Sequence, residues 1–231
     1  MTVPLYQHVY DTIIARIVSG ELAPGAMLPS EIDLGRELNV SQGTARKALS
    51  ALEQRGILQR RQGRGTFVAI TTPESAHFHF FRLRRADGSE ATPSLESESI
   101  TRRKAKAEEK AAFGEQEVFE IVRGRSIDGK TMVREVLSLP TVLFPGLSDR
   151  KPLPNSLYAL YQQSYGIVIA EADERLNAVL ASEEDAAIMN VEVGSPLIEV
   201  RRLATDISGR VVELRLSRYL TSELHYAVTL R

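Results

Sequence analysis

Arg123 and Arg125 stand two residues apart in a segment, Val118 to Ile127, whose composition predicts a β-strand. Side chains at positions i and i+2 of a strand point to one face, and Ile121 and Ile127 share the face of the arginines. Two guanidinium groups on a partly apolar surface suit a bidentate grip on a carboxylate or a phosphate. Paired arginines on a strand also form ordinary ion pairs, so these residues alone leave both interpretations open.

Glu135 lies on the predicted return strand, Thr131 to Leu139, after a turn signal at Asp128-Gly129. A strict two-residue turn would place Glu135 on the face opposite the arginines. A three-residue bulged loop over 127–129 would place it on their face. The register of this hairpin therefore decides whether Glu135 belongs to the same site.

Four further polar positions could join these arginines. Ser156 is placed to begin a helix, where a hydroxyl lies beside free backbone N–H groups that can bind an anion, and Tyr158 follows it. Glu213 and Tyr219 have even spacing on a late predicted strand, so they share a face. Together with the arginine pair, these residues form a candidate anion site.

A second candidate site is basic. Between Ser41 and Thr66 the chain has six Lys or Arg residues and one acid, Glu53, so the local charge is six minus one, or +5. Residues 1–69 carry eight basic and six acidic residues, or +2, whereas the remainder carries 21 and 24, or −3. A basic patch concentrated on one module is typical of a surface that neutralises DNA phosphates.

The elements that position this basic patch are two short helices and a hairpin. Ser30 can cap the first helix, with Asp33 at the capping-box spacing, and Asn39 suits the sharp turn that ends it. Ser41 can cap the second helix, with Thr44 three residues later. This layout predicts a helix-turn-helix whose second helix enters the major groove, followed by a glycine-rich wing. The predicted DNA-contacting residues are Ser30, Glu31, Ser41, Gln42, Gly43, Thr44, Arg46, Lys47, Arg60, Arg61, Gln62, Gly63, Arg64 and Gly65.

These motifs resemble a known family. Leu28-Pro29-Ser30-Glu31, the helix from Ser41 to Leu52 and the ending Arg61-Gln62-Gly63-Arg64-Gly65-Thr66-Phe67-Val68 are similar to the winged helix-turn-helix of GntR-type bacterial transcription regulators. Two positions depart from the family pattern: Ile32 follows Glu31 where arginine is common, and Gln42 stands where arginine is frequent. The resemblance covers roughly the first 70 residues and implies sequence-specific DNA binding.

The rest of the chain predicts an α+β domain with a mostly antiparallel sheet. A helix from Pro4 to Ser19 completes the N-terminal bundle, and residues 70–76 form a linker. His77 to Leu83 alternates as a strand does, and we favour a structural strand there over a metal site at His77 and His79. The mixed charges from Thr101 to Gly114 predict a solvated amphipathic helix rather than a second nucleic-acid contact.

Residues 77–231 resemble the UTRA effector domain of HutC-type GntR regulators. The segments that carry this resemblance are Pro140 through Pro145-Gly146-Leu147, Ser156-Leu157-Tyr158, Tyr165-Gly166, Gly194-Ser195-Pro196-Leu197 and Gly209-Arg210-Val211-Val212-Glu213. The resemblance implies a chorismate-lyase-like fold that binds a small metabolite. It also implies effector contacts at Arg123, Arg125, Glu135, Ser156, Tyr158, Glu213 and Tyr219.

The sequence therefore predicts a homodimeric regulator, with a winged head over residues 1–69 and an effector domain over residues 77–231. Its expected partners are a two-fold symmetric DNA operator and a small anionic effector. An enzyme with a lyase-like fold and a structural nucleoid protein are the alternatives. The absence of cysteine excludes disulfides and thiolate sites, and no cofactor or metal is predicted. No membrane span or signal peptide is recognised, so we expect a cytoplasmic protein.

Overall fold

The computed structural model describes residues 4–75 and 81–228. Its helices are α1 (Leu5–Val18), α2 (Glu31–Glu37), α3 (Gln42–Gln54), α4 (Ala107–Phe113), α5 (Leu157–Tyr165) and α6 (Glu183–Met189). Its strands are β1 (Leu58–Arg61), β2 (Gly65–Val68), β3 (Leu83–Arg85), β4 (Ser94–Lys104), β5 (Glu117–Ile127), β6 (Lys130–Pro140), β7 (Ile169–Leu180), β8 (Pro196–Asp206), β9 (Val211–Leu220) and β10 (Leu224–Tyr226).

The chain packs into two compact units. The first contains Met1–Ser75, Ser156–Glu171 and Thr205–Arg210, and the second contains Ala76–Asn155, Ala172–Ala204 and Val211–Arg231. Helix α5 and the tip of the β8–β9 hairpin thus pack with the N-terminal helices, although both come from the C-terminal half of the chain. Val168 and Ile207 are buried in the same apolar cluster as Val9 and Leu34 of the N-terminal helices.

The helix-turn-helix forms where the sequence predicts it, because local caps specify its ends. The Ser30 hydroxyl accepts a hydrogen bond from the Asp33 N–H at 3.2 Å, and the Ser41 hydroxyl accepts one from the Thr44 N–H at 3.1 Å. Asn39, between the two helices, has a left-handed φ of 53°. A Cβ atom at Gly35 would lie 2.9 Å from the Val40 carbonyl oxygen, so this close approach requires glycine.

The second unit is built on a six-stranded sheet of order β4-β5-β6-β9-β8-β7. The pairs β4–β5, β5–β6 and β6–β9 are all antiparallel, and β3 pairs separately with β10. Helix α6 begins at a capping box in which Ser182 and Asp185 bond to each other's backbone N–H groups. The predicted α+β class with a mostly antiparallel sheet is confirmed.

The register of the β5–β6 hairpin places Arg123 directly opposite Glu135. Asp128 and Gly129, with φ of 52° and 81°, form a two-residue turn that pairs Ile127 with Lys130. A register shift next to Arg125 then moves the pairing by one residue. The two-residue turn considered from the sequence therefore forms, but the register shift beside it places Glu135 on the face of the arginines, which a strict two-residue hairpin would not do.

The predicted amphipathic helix from Thr101 to Gly114 is wrong over its first half. Residues up to Lys104 continue strand β4, which pairs with β5, and α4 starts only at Ala107. The mixed charges of this segment sit on an edge strand, where exposed charged residues are common. Of the strand predicted from His77 to Leu83, residues 77–80 lie outside the described residues, and strand β3 begins at Leu83. No helix in the described ranges is long and apolar enough to span a membrane.

Candidate DNA-binding surface and effector site

Helix α3 presents a polar surface at its N-terminal end. Ala45, Ala48, Leu49 and Leu52 are buried, which leaves Gln42, Gly43, Arg46 and Lys47 exposed on the other side of the helix. The Thr44 hydroxyl lies 2.9 Å from the Ser41 hydroxyl. The exposed side chains lie at or within two turns of the helix start, the part of a recognition helix that meets base edges.

The Glu31 carboxylate contacts several of these polar side chains. Its Oε2 accepts hydrogen bonds from Arg46 Nε at 2.8 Å and from Gln42 Nε2 at 3.3 Å, and its Oε1 lies 3.4 Å from Arg60 Nη2. Burial acts to raise the pKa of Glu31, but hydrogen bonds from Arg46 and Gln42 outweigh it and lower the pKa. Glu31 therefore remains ionised at neutral pH and fixes the orientation of the two α3 side chains.

The wing is a β1–β2 hairpin with an exposed tip. Gly63 and Gly65 have φ of 70° and 113°, values that favour glycine, and Arg64 lies exposed between them. Arg61 packs over the Phe67 ring at 4.8 Å from its centroid. Arg60 is turned inward, toward Glu31 and also toward Glu53 and the Ser50 hydroxyl.

Arg123 is a fully buried charge of the candidate effector site, with 0% exposure. Its Nε lies 3.3 Å from Glu98 Oε2, and its Nη2 donates to the Pro154 carbonyl oxygen at 3.0 Å. Its buried Nη1 has no hydrogen-bond partner among the described residues. A buried charged donor without a partner is costly, so an acceptor atom supplied by a ligand would stabilise this guanidinium.

Arg125 joins strand β5 to the segment before α5. Its Nη2 donates to Asn155 Oδ1 at 2.6 Å, and its Nη1 donates to Glu135 Oε2 at 3.3 Å. The Asn155 amide in turn donates to the Pro93 carbonyl oxygen at 2.8 Å. The buried Nε of Arg125 also has no partner within the described part of the chain.

A third guanidinium, Arg215, completes this cluster. It makes two hydrogen bonds of 2.9 Å to the Glu213 carboxylate, and its Nη1 lies 3.5 Å from Glu135 Oε1. Burial acts to raise the pKa of Glu135, but the charges of Arg125, Arg215 and Arg123 lower the pKa to about 2. We call Glu98, Arg123, Arg125, Glu135, Glu213 and Arg215 the arginine–glutamate cluster; its six formal charges sum to zero.

The remaining predicted effector residues have different surroundings. Tyr219 is buried in an apolar cluster that includes Val133, and burial raises the pKa of its hydroxyl. Ser156 precedes the first residue of α5 without a side-chain capping bond, and the Tyr158 ring lies 5.7 Å from that of Tyr161. Ser156 and Tyr158 belong to the first compact unit, whereas the arginine–glutamate cluster belongs to the second.

Sequence reasoning missed three members of this site: Arg215, Glu98 and Asn155. Arg215 could have been found, because it shares the even spacing of Glu213 and Tyr219 on one strand. Glu98 lies on the part of β4 that was not predicted as a strand. Asn155 gives no signal of its own, because its bond to Arg125 depends on how the segment before α5 packs against β5. In residues 4–75 and 81–228, no group of three or more His, Cys, Asp or Glu is arranged to hold a metal ion.

Comparison with known families matches both parts of the chain. Residues 5–68 match the family described as bacterial regulatory proteins, gntR family, and residues 88–225 match the UTRA domain. The chain is 30% identical over 220 residues to the HTH-type transcriptional regulator SmoD of Agrobacterium fabrum, covering 92% of this chain and 90% of SmoD. It is 27% identical over 232 residues to the mannosyl-D-glycerate transport/metabolism system repressor MngR of Escherichia coli, covering 97% and 95% of the two chains.

Solved structures show the same architecture. The ligand-binding domain of a GntR-family transcriptional regulator from Bordetella bronchiseptica matches with a TM-score of 0.58 and 32% identity, covering 66% of this chain and 98% of that domain. PhnF from Mycobacterium smegmatis matches in fold with a TM-score of 0.56 and 24% identity, covering 95% of this chain and 98% of PhnF.

Proposed function

Because the chain belongs to the GntR family of bacterial regulatory proteins and carries a UTRA domain, we propose that it is a transcriptional repressor controlled by a small anionic metabolite. Its head, residues 1–69, binds a two-fold symmetric operator as part of a cytoplasmic homodimer. Residues 70–76 link the head to an effector domain, residues 77–231. The protein is a regulator and not an enzyme, in keeping with relatives such as MngR.

The observation that carries this proposal is the pairing of two chemically distinct surfaces on one chain. Gln42, Arg46 and Lys47 are exposed near the start of α3 and Arg64 at the wing tip, where a duplex can reach them. The predicted contacts Ser30, Ser41 and Thr44 support this surface by holding the helix ends, as their hydrogen bonds indicate. The effector surface is the arginine–glutamate cluster together with Tyr219, and the contacts at Ser156 and Tyr158 stay predictions from the family resemblance.

The charges of the cluster define the kind of effector that would fit. Three guanidiniums already face three carboxylates, so a ligand with a single negative charge would leave the filled site with a net charge of only −1. The unpartnered N–H groups of Arg123 and Arg125 need acceptor oxygens, and the glutamates can accept hydrogen bonds from hydroxyl groups. A polyhydroxylated monocarboxylate meets both needs. Mannosyl-D-glycerate, which appears in the name of the relative MngR, has this chemistry.

The first test is direct DNA binding. The full-length protein is used to select duplexes from fragments of its own genome, and fluorescence anisotropy then measures affinity for the selected duplex and for a shuffled duplex of equal length. We expect the selected duplex to contain two inverted half-sites and to bind on the order of a thousandfold more tightly than the shuffled one. Equal affinity for the two duplexes would refute a sequence-specific regulator.

The second test concerns the effector site. A panel of hydroxylated carboxylates and phosphates, including mannosyl-D-glycerate, is screened for a concentration-dependent rise in thermal stability, since a ligand held only by the folded state stabilises it. We expect Arg125→Ala to abolish the rise given by a panel hit and to leave operator affinity unchanged. Arg102→Ala, which removes an exposed arginine on β4, is the matched control and should keep the rise. An undiminished rise in Arg125→Ala would exclude Arg125 from the site.

A further inference from the structure

The side chain of Gln42 has a fixed orientation before any DNA is present. Its Nε2 donates to Glu31 Oε2 at 3.3 Å, and only the NH₂ end of a glutamine amide can donate to a carboxylate. The same Glu31 oxygen is also held by Arg46 Nε at 2.8 Å. The amide nitrogen of Gln42 is therefore directed to the Glu31 side, and its carbonyl oxygen is directed away.

This orientation leaves Gln42 with one donor and one acceptor to offer to a base. The second N–H of Nε2 and the carbonyl oxygen Oε1 form an adjacent donor–acceptor pair. In the major groove, adenine presents an acceptor at N7 beside a donor at N6, whereas guanine presents two acceptors at N7 and O6. A glutamine amide in this state matches adenine with two hydrogen bonds and guanine with only one.

Ile32 supplies an apolar neighbour on the same surface. It is 50% exposed, and it lines one open hollow between α2 and α3 together with Gln42 and Val40. The buried residues of α2 are Leu34 and Gly35, so Ile32 does not belong to the buried face of this helix. In the major groove the C5-methyl group of thymine is the apolar feature that an aliphatic side chain can contact.

We propose that Gln42 reads an adenine in each operator half-site, with Glu31 as the residue that positions it, and that Ile32 contacts a thymine methyl group beside that adenine. This inference rests on the proposed function, since it assumes that α3 enters the major groove. It assigns a base identity to one position of an otherwise unknown operator. Glu31 acts through Gln42 and does not itself contact a base.

The experiment begins with selection of duplexes from a random library by the full-length wild-type protein. Anisotropy is then measured on the selected duplex with single-atom base analogues. Replacing the critical adenine by 7-deaza-adenine removes the N7 acceptor and should weaken wild-type binding on the order of tenfold. Replacing the neighbouring thymine by uracil removes one methyl group and should weaken binding about threefold to fourfold.

Substitutions connect these effects to the named residues. Gln42→Arg should change the preferred base at the critical position from adenine to guanine, because arginine donates to both guanine acceptors. Gln54→Arg adds the same charge at the other end of α3 and should leave the preferred base unchanged. Ile32→Ala should abolish the effect of uracil substitution. Glu31→Gln should reduce the preference for adenine over guanine while general duplex affinity is kept or increased, because an acidic charge is lost.

The possible outcomes distinguish failure of the proposed function from failure of the base assignment. If no duplex is selected above background, the proposed function fails and the inference fails with it. If a duplex is selected but no 7-deaza-adenine substitution affects wild-type binding, or if Gln42→Arg keeps the wild-type base preference, the inference is overturned while the proposed function stands. If Glu31→Gln lowers affinity for all duplexes equally, Glu31 has only a structural role.

Discussion

Glu109 is a buried carboxylate with a full set of partners. Arg103 donates to both of its oxygens at 2.7 Å, the Ser138 hydroxyl donates at 2.5 Å, and the Lys106 N–H donates at 2.6 Å. Burial acts to raise its pKa, but the hydrogen bond from Arg103 and the bonds from Ser138 and Lys106 lower the pKa to about 2 from an ordinary 4.5. These contacts anchor α4 to β4 and β6.

The pKa of Glu109 makes stability depend on acid. A carboxyl group whose pKa is lowered by folding stabilises the folded state above its unfolded pKa, and this stabilisation is lost as pH falls from about 4.5 to about 2. We expect Glu109→Gln to lose about 3 kcal/mol at pH 7 and to show a smaller further loss between pH 5 and pH 2 than the wild type. Urea unfolding across this pH range measures both effects.

Glu108→Gln is the matched control for this prediction, since Glu108 is the exposed neighbour on the same helix. It should follow the wild-type pH dependence closely. Parallel stability curves for Glu109→Gln and the wild type below pH 5 would contradict the prediction. We therefore expect part of the acid sensitivity of the second unit to come from this one ion-paired carboxylate.

Helix α5 is held to the end of the wing by one side chain. Gln162 is 2% exposed; its Nε2 donates to the Ala69 carbonyl oxygen at 2.9 Å, and its Oε1 accepts from the Thr71 N–H at 2.5 Å. Both backbone groups lie just after strand β2. The same helix follows directly from Asn155, which is bonded to Arg125 of the arginine–glutamate cluster. The chain runs from Asn155 directly into α5, and the two hydrogen bonds of Gln162 connect α5 to the segment after β2.

We expect Gln162→Leu to destabilise the first unit by about 1–3 kcal/mol for each backbone group that loses its partner. Hydrogen exchange should show faster exchange at the Thr71 amide, because this N–H loses its acceptor. Gln163→Leu changes the exposed neighbour and should leave Thr71 protected. Unchanged Thr71 exchange in Gln162→Leu would show that this contact does not hold the segment.

At the scale of elements, the sequence predicts structure well where the signal is local. The caps at Ser30, Ser41 and Ser182 mark helix starts because each acts within three residues. Strand β4 was missed because its charged sequence gains strand structure from pairing with β5, which no local pattern reports. The sequence offered a bulge only as one of two alternatives, since a one-residue register shift leaves the turn signal at Asp128-Gly129 unchanged.

In the candidate sites, the sequence predicts which residues take part more reliably than it predicts which side chains they contact. The spacing of Arg123 and Arg125 placed them on one face, but it could not reveal that Glu98 and Arg215 neutralise the cluster. In the head, the same limit applies to Glu31. It was predicted as a DNA-contacting residue, and its hydrogen bonds to Arg46 and Gln42 depend on how α2 crosses α3. The +5 charge between Ser41 and Thr66 therefore overstates the charge that is open to phosphates.

At the scale of the whole molecule, the charge that remains available determines how DNA affinity depends on salt. Arg46 and Arg60 are paired with Glu31, and Arg60 also with Glu53. Of the remaining four cations in the basic patch, Arg55 donates to the Tyr10 hydroxyl. Lys47, Arg61 and Arg64 are exposed, and we expect them to lie nearest to a bound duplex. If each of the three neutralises one phosphate, a homodimer with two heads neutralises about six.

We therefore expect the logarithm of operator affinity to fall with the logarithm of salt concentration with a slope of about −5, since each neutralised phosphate contributes about −0.9. A duplex with a single half-site should give about half this slope, because only one head can engage it. Arg64→Ala removes one cation from each head and should reduce the full-site slope by about 2. Arg175→Ala, an exposed arginine on β7, is the control and should leave the slope unchanged. Equal slopes on the full-site and half-site duplexes would contradict two heads acting together, and an unchanged slope in Arg64→Ala would remove the wing tip from the interface.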